Sequence, residues 1–176
     1  MQQVPKVPTT AGIPEIVVGV DGSPESILAL HWATTLAPAL GATIVAVSAW
    51  QLEPVYGPYA AADWHPKAIA QEILTETLSK AFGESVPEEL SAECFRGQPA
   101  KVLMERSKSA VMLILGSRGR GGFKGLLLGS VSTACTAHAQ SPVLVVRTAP
   151  TSQAAANPVN SGNSVNSEGT GLADKE

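Results

Sequence analysis

Along the chain, short runs of apolar residues alternate with longer segments in which apolar residues recur at helical spacing. Apolar, partly β-branched runs lie at residues 16–20, 43–50, 111–115 and 143–146, with a weaker run at 90–95. Runs that are apolar on both faces are typical of strands buried in a parallel sheet. Helices are predicted between them at 24–40, 66–82, 99–106 and 130–138. The alternation predicts an α/β fold, doubly wound, with a five-stranded, mostly parallel sheet and helices on both faces.

Local signals mark the two ends of the first helix. Ser23 is an N-cap candidate, Pro24 suits the first helical position, and Glu25 places an acidic group in the first turn. Gly41 follows the last apolar position of the pattern. Pro38 is expected to truncate or kink the last turn, because proline lacks a backbone N–H.

The ends of the chain differ from its middle in composition. Residues 148–176 contain no aromatic residue and few aliphatic ones, but many Asn, Ser, Gly and Ala. Such a segment buries too little apolar area to offset the entropy lost on ordering. We therefore predict a domain at 14–147, a disordered lead at 1–13 and a disordered tail at 148–176.

Charge and composition exclude several classes of function. A formal net charge of -3 argues against a nucleic-acid binder, which normally carries a basic surface. No apolar run approaches the roughly 20 residues of a spanning helix, so no membrane contact is expected. The first residues carry no apolar leader, and a cytoplasmic location is expected. Cys94 and Cys135 are isolated in sequence, which predicts two small core or semi-buried residues and not a disulfide or zinc site.

The predicted topology indicates where a ligand binds. In open α/β sheets the ligand crevice lies beyond the carboxyl ends of the strands, where the strand order reverses. For a 2-1-3-4-5 or a 3-2-1-4-5 order, the first strand lies beside this point. Polar, glycine-bearing turns follow the first and fourth strands and are expected to converge. Their candidate residues are Gly19, Val20, Asp21, Gly22 and Ser23 in one turn and Leu115, Gly116, Ser117, Arg118 and Gly119 in the other.

The stretch at 116–132 suits a phosphate ligand. It contains six glycines and three cationic side chains and leads into the fourth helix. Glycine-rich backbone presents N–H groups to an anion, and a helix start at Gly129 and Ser130 adds further donors. A flexible surface loop with a capping serine is the alternative. The stretch lacks Gly-Lys-Ser/Thr, and Lys124 replaces the third glycine of G-x-G-x-x-G, which argues against a P-loop or a dinucleotide-binding motif.

The spacing Gly116-x2-Gly119-x9-Gly129-Ser130 resembles the G-2x-G-9x-G-(S/T) motif of the ATP-binding universal stress proteins. The resemblance extends to the segments VVGVDGS, VSAW, GQP and HAQSPVLVVR, in that order along the chain. It implies a Rossmann-like sandwich similar to that of the adenine nucleotide hydrolases. It also implies that the ligand is an adenine nucleotide, ATP with Mg²⁺.

The resemblance further implies a role for individual residues. Asp21 would hold the ribose or a metal-linked phosphate, and the backbone from Val45 to Val47 would line the adenine pocket. Arg118 stands where some nucleotide-bound members carry His, and it keeps a positive charge. The last strand, Val143–Val146, is expected at a sheet edge and would pair with a second copy in a homodimer. The phosphates would be held by Gly116, Gly119, Gly129, Ser130, Val131 and Ser132.

The function expected from this resemblance is that of a nucleotide-dependent regulator or interaction module in a stress response. No catalytic residue is assigned, because the stretch 116–132 has no carboxylate or amide side chain and only Asp21 is acidic near it. At most, very slow ATP hydrolysis is expected. Three alternatives stay open: a cyclic AMP binder of the same family, an adenine-nucleotide hydrolase, and a structural dimer with an empty site.

Overall fold

A computed structural model describes the chain at residues 12–51, 65–121 and 127–148. The predicted lead and tail therefore lie almost entirely outside the described residues. Strands and helices alternate in the order β1 (Glu15–Gly19), α1 (Pro24–Leu40), β2 (Thr43–Trp50), α2 (Pro66–Phe82), β3 (Leu90–Arg96), α3 (Pro99–Arg106), β4 (Met112–Gly116), α4 (Ser130–His138) and β5 (Val143–Val146). None of the helices in the described ranges is long and apolar enough to cross a membrane.

The strands form one sheet in the order β3-β2-β1-β4-β5, and every described pair is parallel. This confirms the predicted α/β fold and selects 3-2-1-4-5 from the two predicted strand orders. The central strand β1 pairs with β2 through Val17 and Val45 and with β4 through Val17 and Leu113. After β3 the chain returns to the other side of β1, so the strand order reverses between β1 and β4. A crevice is expected at the carboxyl ends of these two strands.

Helices cover both faces of the sheet, and each face has its own core. Ile16 and Val18 of β1 point to the face covered by α1 and α2, where they pack with Leu30 and Leu74. Val17, between them, points to the face covered by α3 and α4. Alternate side chains of a strand point to opposite faces, so one apolar run supplies both cores. The second core also contains Leu103, Leu113, Leu115 and Cys135.

The ends of α1 show how the sequence limits a helix. The Ser23 hydroxyl accepts a hydrogen bond from the Ser26 N–H at 3.1 Å, as an N-cap does. Gly41 adopts φ 57° and ψ 35°, and its N–H returns to the Pro38 carbonyl while the Ala42 N–H returns to Ala37. This is a Schellman motif. The predicted truncation at Pro38 is wrong, because α1 continues to Leu40. The missing N–H of Pro38 removes one helical hydrogen bond and does not end the helix.

Candidate functional site

A cleft of about 480 Å³ opens beyond the carboxyl ends of β1, β2 and β4. This volume lies within the range of about 300–1,000 Å³ typical of small-molecule sites. The cleft is the crevice expected where the strand order reverses. Most of the residues predicted from the sequence line it, namely Gly19, Val20, Asp21, Ser23, Val47, Leu115, Gly116, Arg118, Gly119, Gly129, Ser130, Val131 and Ser132.

Three predicted residues do not line the cleft. Val45 lies two residues before Val47 on β2 and is buried in the core with Val17. Gly22, with φ 85°, lies beside the cleft next to Ile73 and Arg120 but is not among its lining residues. Ser117 is buried, and its N–H donates to the carbonyl of Val146 at 2.6 Å. These positions support the walls of the cleft and do not face its interior.

The cleft has an apolar side that the sequence analysis missed. It is formed by the end of β2 and by α2 and α3, which pack over that side of the sheet. Which helix residues face the cleft depends on how the helices cross the sheet, and local sequence patterns do not contain this information. The missed lining residues, on this side and elsewhere in the cleft, are Ser26, Ser48, Ala49, Ala70, Ile73, Pro99, Leu103, Gly121 and Leu128. Arg120, one of the three cations noted in the stretch 116–132, also lines the cleft.

Asp21 joins the turn after β1 to the loop after β4. Its Oδ1 accepts from the Ser23 N–H at 3.0 Å and from the Ser23 hydroxyl at 2.6 Å. Its Oδ2 accepts from the Arg120 N–H at 3.0 Å. Because Ser23 also caps α1, one carboxylate connects the start of α1 with the glycine-rich loop.

Close approach, and not an unusual φ, explains the glycines of this loop. Neither Gly116 nor Gly119 has a positive φ. A Cβ at Gly116 would lie 2.6 Å from the Cβ of Glu25, and a Cβ at Gly119 would overlap the Asp21 carboxylate. Any other residue at Gly116 would push the loop away from Glu25 at the start of α1, and any other residue at Gly119 would displace either the Asp21 carboxylate or the loop.

The start of α4 forms a polar wall of the cleft. Thr133 is the first residue whose N–H finds a helical acceptor, the carbonyl of Gly129 at 2.9 Å. Helix geometry leaves the N–H groups of Ser130, Val131 and Ser132 without an intrahelical acceptor. These residues line the cleft, so their N–H groups and the positive end of the helix dipole favour an anion there.

Two further groups of the predicted phosphate loop are already engaged within the protein. The Gly129 N–H donates to the Ser117 carbonyl at 2.7 Å. The Ser132 hydroxyl donates to the Gly116 carbonyl at 2.7 Å. The Ser130 hydroxyl, by contrast, is on an exposed residue at the cleft. Ser130 is therefore the best-placed side-chain donor on this wall.

The charge of the lining also favours an anion. Arg118 and Arg120 line the cleft, and Asp21 is its one carboxylate among the described residues. In the ranges that the structure describes, neither guanidinium forms an ion pair. No group of three His, Cys, Asp or Glu residues there could hold a metal ion. Lys124, the third cation of the predicted loop, lies outside the described residues.

Residues 13–147 match the model of the universal stress protein family, and the chain belongs to that family. One similar relative is the universal stress protein Rv2623 of Mycobacterium tuberculosis strain H37Rv. It is 37% identical over 134 residues, which cover 75% of this chain and 44% of the relative. The chain thus spans less than half the length of such mycobacterial relatives.

Solved structures show the same fold. A universal stress protein in complex with cAMP is 26% identical, with a TM-score of 0.56 over 77% of this chain and 97% of that one. The universal stress protein from Archaeoglobus fulgidus in complex with dAMP is 18% identical, with a TM-score of 0.54 over 77% and 98%. At the lower identity the likeness concerns the fold alone.

Proposed function

We propose that this chain binds ATP in the cleft and acts in a stress response as a regulator whose signal is occupancy of that cleft. The observation that carries the proposal is the polar wall. Ser130, Val131 and Ser132, whose N–H groups have no helical acceptor, line the same cleft as Arg118 and Arg120. Such an arrangement suits a multiply charged phosphate chain.

The two sides of the cleft suit the two ends of a nucleotide. Val47, Ala49, Ile73 and Leu103 form an apolar surface for the adenine ring. The glycine loop and the start of α4 supply donors for the phosphates on the other side. A Mg²⁺ ion would arrive bound to these phosphates, with Asp21 as the one carboxylate nearby in the described lining.

Cyclic AMP is the second candidate ligand. The observation that favours it is the 26% identity to the universal stress protein in complex with cAMP. The N–H donors at the start of α4 suit a single phosphate as well as a chain of phosphates. The two arginines distinguish the candidates, because ATP carries more negative charge than a cyclic monophosphate and gains more from two cations.

We expect bound ATP to be hydrolysed very slowly or not at all. Transfer of a phosphoryl group to water needs a residue that orients the water beside the terminal phosphate. Residues 116–132 contain no Asp, Glu, Asn or Gln, and the Asp21 carboxylate already accepts three hydrogen bonds. Turnover below about 1 per minute is expected, far under the usual enzyme range of about 1–1,000 per second.

Calorimetric titration of the full chain with ATP, ADP, AMP and cAMP tests the proposal. We expect micromolar binding of ATP. Gly119→Val should abolish it by displacing the loop, and Ser130→Ala should weaken it about fivefold or more by removing one hydrogen bond to a charged group. Thr133→Ala, one residue after the free N–H groups on an exposed position of α4, is the matched control and should leave the affinity unchanged. Equal affinities in wild type and a folded Gly119→Val protein would contradict the site.

A further inference from the structure

An apolar stripe runs along the side of α1 that faces the edge strand β5, and it consists of Leu28, Trp32 and Leu36. We infer that this apolar stripe is an interaction surface for a second copy of this chain, and that the Trp32 side chains of the two copies meet above their paired β5 strands. The surface lies outside the nucleotide cleft, so the inference does not depend on the proposed function. It adds a helix contact to the strand pairing that the family resemblance implies.

Contacts on the two sides of α1 show which way the apolar stripe faces. Residues three or four apart lie on the same side of a helix, so Glu25 belongs to the same row as Leu28. The Glu25 carboxylate accepts a hydrogen bond at 3.1 Å from the hydroxyl of Thr148, which follows β5. His31 instead contacts Phe82 of α2, with their ring centroids 5.6 Å apart. The apolar stripe therefore faces β5, and α2 lies on the other side of α1.

Trp32 is the exposed member of the apolar stripe. Leu28 and Leu36 are partly buried against the core beneath α1 and α2, whereas Trp32 is 45% exposed. Leu144 of β5 is also partly buried against that core, on the same face of the sheet. The apolar stripe and the open edge of β5 thus adjoin each other. Burial of a Trp side chain removes a large apolar area from water, so Trp32 would stabilise any contact formed there.

The strand β5 is too short to hold two copies together by itself. Its four residues, Val143–Val146, extend about 13 Å. A stable interface buries about 800 Å² on each partner and involves about 20–30 residues of each. Further surface beside β5 must therefore take part in the contact. The apolar stripe lies directly beside β5 and presents a Trp, one of the residue types that contribute most to binding energy at interfaces.

An antiparallel pair of β5 strands would bring the two Trp32 residues together. From Glu25 to Trp32 the helix advances about 10 Å, which corresponds to about three residues of a strand. Because all paired strands are parallel, α1 runs opposite to β5. Glu25 is level with Thr148, so Trp32 is level with Val145, in the middle of β5. The two-fold axis of an antiparallel pair passes through that middle, and the two Trp32 residues lie on either side of it.

The space between the two α1 helices would have room for these side chains. α1 packs over β1 and β4, about one and a half strand spacings from β5. In the antiparallel pair the two α1 axes would be about four spacings, or roughly 19 Å, apart. Helices in direct contact are about 8–10 Å apart, so a channel about 10 Å wide remains between them. Leu144 lies at the floor of this channel, and a Trp from each side fills it.

Sedimentation equilibrium of the full chain measures the dissociation constant of the dimer. Trp32→Gln removes the aromatic surface and should raise this constant at least about tenfold, as expected for a Trp at the centre of an interface. Ile69→Gln is the matched control, because Ile69 of α2 is similarly exposed, at 44%, and should leave the constant unchanged. A monomeric wild type, an unchanged constant in Trp32→Gln or an equal rise in Ile69→Gln would overturn the inference.

A second measurement observes Trp32 itself. In the full chain labelled with 5-fluorotryptophan, the ¹⁹F signal that is lost in Trp32→Phe identifies this residue among the three Trp. A soluble paramagnetic agent should broaden the Trp32 signal less in the wild-type dimer than in Val145→Lys, which removes the strand pairing. Equal broadening in a wild type that dimerises would leave the strand pairing in place and refute the helix contact. Protection that persists in monomeric Val145→Lys would mean that the chain itself covers Trp32, which also refutes it.

Discussion

Gly22 and Gly41 have positive φ values of 85° and 57°, but only Gly22 lies beside the cleft. A side chain at either position costs about 1 kcal/mol or more in backbone strain. At Gly41 a Cβ would meet nothing within 4 Å, whereas at Gly22 it would press on Ile73 and Arg120. We expect Gly22→Ala and Gly41→Ala to lose similar stability in urea unfolding, and only Gly22→Ala to weaken ATP binding. Similar ATP affinities in the two variants would show that contact of a Gly22 side chain with Ile73 and Arg120 does not affect the cleft.

The two cysteines provide a second test at single residues. Cys135 is fully buried, and burial raises the pKa of its thiol to about 11. Burial also raises the pKa of the half-buried Cys94, an effect that Lys67 partly offsets. Since the thiolate is the reactive form, a disulfide reagent at pH 8 should label native Cys94 well before Cys135. Cys94→Ser should remove the faster phase and Cys135→Ser the slower one. Faster labelling of Cys135 than of Cys94 would contradict the burial of Cys135 in the core.

The same thiol gives a pH dependence of defined sign. In the unfolded chain Cys135 ionises near its ordinary pKa of 9.0, whereas in the folded state it keeps its proton up to about 11. Between these values the unfolded state binds fewer protons, so the free energy of unfolding falls as pH rises. Urea unfolding at pH 9 and pH 11 should show a smaller decrease for Cys135→Ser than for wild type. An equal decrease in both proteins would contradict this.

At the scale of elements, Arg106 at the end of α3 ties two strands together. It pairs with Glu15 of β1 at 2.7 Å and with Glu93 of β3 at 2.8 Å. The hydrogen bonds that the guanidinium donates to Glu93 and Glu15 raise its pKa further, so it stays charged. Arg106→Met leaves two half-buried carboxylates unpaired and should cost about 1–2 kcal/mol of stability. Lys108→Met breaks the exposed pair with Glu105 and should cost less than about 0.5 kcal/mol. Equal losses in denaturant unfolding would refute this ranking.

The helices, the strands and part of the site could be predicted from the sequence because they depend on local patterns. Strands buried on both faces and capped helices have strong local patterns, and parallel strands bring the turns at Asp21 and Gly116 to one edge of the sheet. The ends of strands depend on pairing, so β1 stops at Gly19 and Val20 lies just beyond it. The link from Asp21 to Arg120 spans 99 residues. No local pattern contains a contact between such distant residues, which only the folded chain brings together.

At the scale of the whole molecule, β5 is an edge of the described sheet, with β3 at the other edge. Its unpaired backbone groups are a template for a second copy, as the homodimer expected from the family resemblance requires. Light scattering at tens of micromolar should report a dimer, and Val145→Lys should convert it to a monomer. Ala92→Lys, on an exposed position of β3, is the matched control and should leave the dimer intact. A monomeric wild type, or a dimer lost with Ala92→Lys instead, would exclude pairing through β5.

The most direct test of the central claim is to locate ATP on the full, ¹⁵N-labelled chain by amide chemical shifts. We expect the largest shifts at Ser130, Val131 and Ser132, whose N–H groups at the start of α4 have no intrahelical acceptor. We expect small shifts at Lys101 and His138, which line a separate surface hollow between α3 and α4. Saturable shifts centred on that hollow, or no shifts at millimolar ATP, would contradict the claim that the cleft beyond β1 and β4 binds the nucleotide.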